Sequence, residues 1–258
     1  MRKDSDREIV IKLLQELGFE AFKIPEEPQK GRRADVRATK DKQSFLIEVK
    51  SKEDHSEFMS ELRKANAFKI IEYKKELRRS DTFGKIIREG AKQLDETPDE
   101  VGSFKCIWFR AVEALIPDAF EFMKATLYGT ALLLVRDQSN HFSCEKCYYF
   151  EPSEFFILRS LEGVILDNGQ KAELCINTFS NRRDEFQRTA LYCLFEQKGA
   201  ITDPHKLEKQ GKILVVDKGF SRKDKDILIK FILEKYGFLH ARQFPMKVIG
   251  GGIIGTPD

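Results

Sequence analysis

Residues 45–52 read Phe-Leu-Ile-Glu-Val-Lys-Ser-Lys, an apolar run that takes in an acid and then a lysine. Side chains alternate faces along a strand, so Glu48 and Lys50 share one face while Ile47 and Val49 share the other. Upstream lies "RRADVRA" at 32–38, which alternates in part, and the polar "TKDK" at 39–42 separates the two runs. This pattern predicts a β-hairpin. A two-residue loop at Asp41 and Lys42 sets Lys40 opposite Gln43, and a four-residue loop over 40–43 keeps the same register. That register carries Asp35 opposite Glu48 and Arg33 opposite Lys50, with facing β-carbons about 5 Å apart. A loop of odd length would separate the two acids.

Acid facing acid beside base facing base costs a few tenths to about 1 kcal/mol per pair. A sequence shaped for stability alone would more easily pair acid with base, so the arrangement marks a functional-site candidate. A hard divalent cation resolves the conflict, because two carboxylates at this spacing can share one ion and leave positions for water and phosphate. Lys50 is then placed to reach a metal-bound water or a phosphate oxygen. The Glu48/Lys50 face would line a cleft and the Ile47/Val49 face would join the core. The plainer alternative is a solvated edge strand, where Glu and Lys are common.

The surrounding chain alternates helices and strands. Ser5 and Glu8 suggest a capping box. Ile9, Val10, Leu13, Leu14 and Leu17 make a helical stripe that stops at Gly18. "EAFKI" is a short strand. Residues 55–97 are expected to be mainly helical, broken near "RSDTFG". Strands are predicted at 103–111 and in "TALLLVRD", with the helix "PDAFEFMKATLYG" between them. Short strands with turns fill 147–179. From about 185 come the helix "RDEFQRTALYCLFEQKG", the strand "KILVVDKG" and a helix capped by Ser221. The expected fold is α/β, a mixed central sheet flanked by helices, with a C-terminal α+β portion. A candidate boundary near 180 divides 1–180 from 181–258.

Composition narrows the function. With 258 residues and 21 phenylalanines, a sizeable core is available. The net charge is only +3 despite 34% charged residues, so attraction to a polyanion must come from local clusters. Such clusters stand at 30–40, 72–79 and 218–225. No run of 18 apolar residues suggests a membrane span. The five cysteines and the polar N-terminus suggest a reduced, cytoplasmic setting. His141, Cys144 and Cys147 resemble half of a zinc site, with Cys175 and His205 as distant candidates. A turn between strands with small buried cysteines is the simpler reading.

"ADV" followed by "IEVKSK" resembles the PD-(D/E)XK, or restriction-endonuclease-like, nuclease superfamily. The helix "IVIKLLQELGF" resembles the opening helix of its Mrr-type restriction and Holliday-junction resolvase branches. The likeness covers residues 5–52, extends loosely to about 136, and does not reach 140–258. It implies a Mg2+- or Mn2+-dependent endonuclease, a phosphodiester hydrolase acting on DNA in restriction, defence or repair. Asp35 and Glu48 would hold the metal, with the backbone carbonyl of Val49 as a third ligand, and Lys50 would orient or deprotonate the attacking water. Gln93 matches a helical glutamine of parts of the superfamily. Two positions depart from the pattern. Ala34 replaces the proline before the first acid, and Arg7 stands where the opening helix often carries a catalytic glutamate. Glu8 is expected to face water and Asp6 to lie nearer the stripe.

Arg32, Arg33 and Lys52 are candidate phosphate contacts, as are Lys74, Lys75, Arg78 and Arg79. For 72–79 a solvated helix face with Glu72 and Glu76 is the alternative. Residues 181–258 are a candidate for substrate recognition or homodimerisation. Two other readings stand beside the DNA nuclease: a DNA- or partner-binding module that keeps the fold without cutting, and an RNA nuclease.

Overall fold

The computed structural model of the chain describes residues 2–25, 33–51, 69–99, 101–111, 119–245 and 247–254. The first helix, α1 (Arg2–Glu16), buries Val10 and Leu14. It starts ahead of Ser5, so the expected capping box does not form. Gly18, at φ +80°, ends it, and the Lys40 ammonium donates to the Leu17 carbonyl at 2.9 Å.

β1 (Glu20–Lys23) runs antiparallel to β2 (Val36–Lys40), which forms the expected hairpin with β3 (Gln43–Ser51). Asp41 and Lys42 both have positive φ, 51° and 62°, as a tight two-residue hairpin turn requires. The register runs from Lys40–Gln43 to Val36–Ile47, as the loop length predicts. β3 lies parallel to β5 (Phe104–Arg110), which lies parallel to β8 (Gly163–Asp167). The helix α2 (Asp81–Glu96) lies between β3 and β5 in the chain. β9 (Ala172–Ile176) and β10 (Ile201–Thr202) complete a seven-stranded mixed sheet ordered β1-β2-β3-β5-β8-β9-β10.

A four-stranded sheet runs β11-β7-β6-β12, built from β6 (Ala131–Arg136), β7 (Phe142–Tyr148), β11 (Leu214–Val215) and β12 (His240–Phe244). The fold is thus α/β with a mixed central sheet and flanking helices. Strands from both sides of residue 180 share each of these sheets.

Apolar side chains pack on both faces of the central sheet. On one face, α1 and α6 (Ala190–Gln197) cover Phe45, Ile47, Val49, Trp108 and Ile165. On the other, α2 and α3 (Ala119–Tyr128) cover Leu46, Ile107, Phe109, Val164 and Leu166. Each such wholly buried aliphatic or aromatic side chain contributes about 1.5–3 kcal/mol.

Several local expectations are corrected. Residues 69–76 are a strand, β4 (Lys69–Glu76), not a helix. They pair along their whole length with β13 (Lys247–Ile254), so the glycine-rich C-terminal run is also a strand. That pairing is non-local, and local helical pattern does not register it. The predicted helix from 185 is two short helices, α5 (Arg183–Phe186) and α6, because Thr189 caps the second by accepting from the Tyr192 amide at 3.3 Å. Asp224, not Ser221, caps the last helix, α8 (Lys225–Tyr236), accepting from the Ile227 amide at 3.2 Å. The remaining short helices are α4 (Glu154–Ile157) and α7 (Pro204–Lys209). The proline expected to open α3 lies outside the described residues.

Candidate functional site

The site is built at the C-terminal ends of the parallel strands. Ile47 and Val49 are buried on the α1 face, so Glu48 and Lys50 are turned toward α2. Glu48 is wholly buried. Lys50 Nζ lies 2.7 Å from Glu48 Oε1 and also donates to Gln93 Oε1 on α2. Gly90, one turn before Gln93, makes room for this. A β-carbon there would stand 3.3 Å from Lys50 Cε and 3.0 Å from Ile107 Cδ1.

Asp35 precedes β2 by one residue, just past the last ladder pair. Its carbonyl accepts from the Ile24 amide at 3.0 Å. Its Oδ2 reaches across to accept from the Val49 amide at 2.9 Å. The carboxylate therefore meets β3 between Glu48 and Lys50. Thr97 fixes this segment against α2: its Oγ1 accepts from the Ala34 amide and donates to the Gln93 carbonyl, each at 2.7 Å. One hydroxyl thus ties the approach to Asp35 to the turn that carries Gln93. Val49 enters the site through its main chain, its side chain being core. Arg33 is half-buried and lies beyond the ladder, so strand pairing does not set it against Lys50. Arg32 and Lys52 lie outside the described residues, as do the side chains of Lys74 and Lys75.

The largest addition to the sequence reading is Arg7. Its Nη2 is paired with Asp35 Oδ1, and its Nη1 lies 3.1 Å from Asp4 Oδ1. Spacing could have found it, since positions 7, 10 and 14 fall on one helical face and Val10 and Leu14 are core. Glu8 is exposed and Asp6 half-buried, as expected. Asp6 Oδ1 accepts from Arg110 Nε at 3.0 Å, and Arg110 Nη1 reaches Asp167 Oδ2 at 2.5 Å. Trp108 Nε1 and the Gly169 amide also donate to Asp167, at 3.1 and 2.7 Å. The first turns of α1 are therefore clamped to the ends of both β5 and β8.

Asp35 and Glu48 supply hard oxygen donors. Arg7 and the Val49 amide contact the two Asp35 oxygens and Lys50 contacts Glu48 Oε1, so both carboxylates are oriented by donors. The donor set therefore fits a hard divalent ion such as Mg2+ or Mn2+. Among the described residues no three His, Cys, Asp or Glu side chains gather as a metal cluster. The zinc pattern does not converge: Cys144 is exposed and Cys147 is buried, three residues apart along β7 and so on opposite faces. No helix among the described residues is long and apolar enough to cross a membrane. No family model, curated protein or solved structure matches the chain.

Proposed function

We propose that the chain is a metal-dependent nuclease of the PD-(D/E)XK kind that hydrolyses phosphodiester bonds of DNA, in restriction, defence or repair. The observation that carries this reading is Lys50 Nζ held between Glu48 and Gln93, with Asp35 bonded to the amide of the residue between Glu48 and Lys50. Asp35 and Glu48, with the Val49 carbonyl, would hold Mg2+ or Mn2+, which when bound supplies charge neutralisation and an acidified water. Gln93 accepts from Lys50 and fixes the direction of the ammonium. Lys50 then steadies negative charge developing on the phosphate and holds the attacking water in line. Burial of Glu48 keeps water from competing for these contacts. Arg32, Arg33 and Lys52 are the proposed phosphate contacts.

The test is incubation of the purified protein with plasmid and linear DNA, with Mg2+ or Mn2+ and with EDTA. Cleavage that needs the metal and is lost in Asp35→Asn and Lys50→Ala is expected. Cleavage that is absent, or that persists unchanged in both variants, overturns the reading. The Arg7–Asp35 pair favours a second reading, a module on the same fold that binds DNA without cutting. A gel shift without metal-dependent cleavage would select it. Preference for single-stranded RNA over duplex DNA in competition would select an RNA nuclease.

A further inference from the structure

The proposed mechanism gives no task to Arg7, a buried charge in direct contact with Asp35. Arg7 and Asp35 have side chains only 8% and 1% exposed, and the guanidinium takes one oxygen of a carboxylate that is a proposed metal ligand. We infer that Arg7 is a positioning residue, a resident counter-cation that holds Asp35 in place between metal-binding events and competes with the divalent ion for it. This inference rests on the nuclease reading above.

Arg7 is held where it stands by its helix. Val10 and Leu14, on the same face, are wholly buried, and the neighbouring Asp6 is bonded to Arg110. The guanidinium reaches both Asp4 and Asp35. Nη1 goes to Asp4, which is 57% exposed and also bonded to Lys23 at 3.2 Å; Nη2 goes to Asp35. A divalent ion arriving at Asp35 therefore meets a fixed positive charge already on the carboxylate. Like charges at that range repel, and repulsion strengthens where water is excluded. Without Arg7 the carboxylate would lose its alignment but gain affinity for the ion. A purely structural ion pair would predict the opposite, since a displaced Asp35 binds a metal no better than an aligned one.

Isothermal titration of Mn2+ into the full chain separates these outcomes. Arg7→Gln is expected to bind about tenfold more tightly, equivalent to ~1.4 kcal/mol, and to gain more thermal stability from saturating Mn2+ than the wild type. Arg7→Lys, which keeps the charge, is expected to return most of the way to wild-type affinity. Asp4→Asn changes only an exposed acid and is safe for folding. It removes one acid that shares the Arg7 charge with Asp35 and is expected to weaken Mn2+ binding by roughly two- to threefold, from the loss of one exposed ion pair. An Arg7→Gln protein that binds Mn2+ no more tightly, or an Asp4→Asn protein of unchanged affinity, overturns the inference. If the wild type binds and cleaves while either result holds, only the role of Arg7 fails. If the wild type and Asp35→Asn take up Mn2+ alike, the nuclease reading itself fails, and this inference with it.

Discussion

The two ends of the central parallel strands bury acids in opposite ways. At the C-terminal ends, Asp35, Glu48 and Asp167 each face a cation: Arg7, Lys50 and Arg110. At the N-terminal ends, Glu162 is equally buried but receives the Lys105 amide at 2.5 Å and the Ser180 hydroxyl at 3.4 Å. Burial pushes the Glu162 carboxyl up to about 7; the Lys105 amide, the Arg182 charge, the Ser180 hydroxyl and the Lys105 charge offset only part of it. Glu162 is held chiefly by directed hydrogen bonds, whereas an acid in contact with a cation is held by direct charge pairing as well. Ligands of open α/β sheets bind beyond the carboxyl ends of the strands. The ion pairs of the deeply buried acids Asp35, Glu48 and Asp167 stand at that end in this chain too, whereas the pairs Arg37–Asp99 and Lys105–Asp95 at the other end are partly exposed.

The sharpest way to break the contrast is to remove a cation from the paired end. Arg110→Met strands Asp167 and Asp6 and is expected to cost roughly 3–5 kcal/mol, as for other buried ion pairs that lose one member. Urea unfolding measures it, and a loss below about 1 kcal/mol would show that Trp108 and Gly169 suffice for Asp167.

The other end is sharpened by pH. A carboxyl whose folded-state pKa is raised contributes stability that is fully present below its unfolded value and is lost as pH rises through the folded one. For Glu162 that window runs from its ordinary 4.5 to about 7. Glu162→Gln, which keeps an acceptor for the Lys105 amide, should flatten the fall in stability across this window. The gain above the window should be up to about 3 kcal/mol, at 1.36 kcal/mol per unit. Thermal melts across that range check it, and equal slopes in both proteins would contradict the assignment.

The hairpin is the part of the site most legible in the sequence. Alternation and a two-residue polar loop give the register, and the register brings Asp35 to Glu48's end of β3. Gln93 was legible as a helical position, but its contact with Lys50 depends on Gly90 and Thr97 packing α2 against the strand. Arg110 is less visible, because its partners Asp6 and Asp167 lie on elements far along the chain, and the spacing that puts Arg7 on the buried face of α1 does not disclose that it meets Asp35. β4 was misread for a related reason, its partner β13 standing at the far end of the sequence.

The smallest expected effect is at Gln93. Gln93→Ala removes an acceptor from Lys50 and leaves the ammonium on Glu48, so a stability change of about 1 kcal/mol or less is expected. Any cleavage activity should fall by roughly tenfold, the value of about one misplaced hydrogen bond. A cleavage rate equal to that of the wild type would remove Gln93 from the site.

The most direct test of the central claim is a crystal structure grown with Mn2+, using its anomalous signal. The account predicts one peak within about 2.5 Å of carboxylate oxygens from both Asp35 and Glu48. A Mn2+ peak elsewhere, with Asp35 still held by Arg7 and the Val49 amide and Glu48 by Lys50, would contradict it.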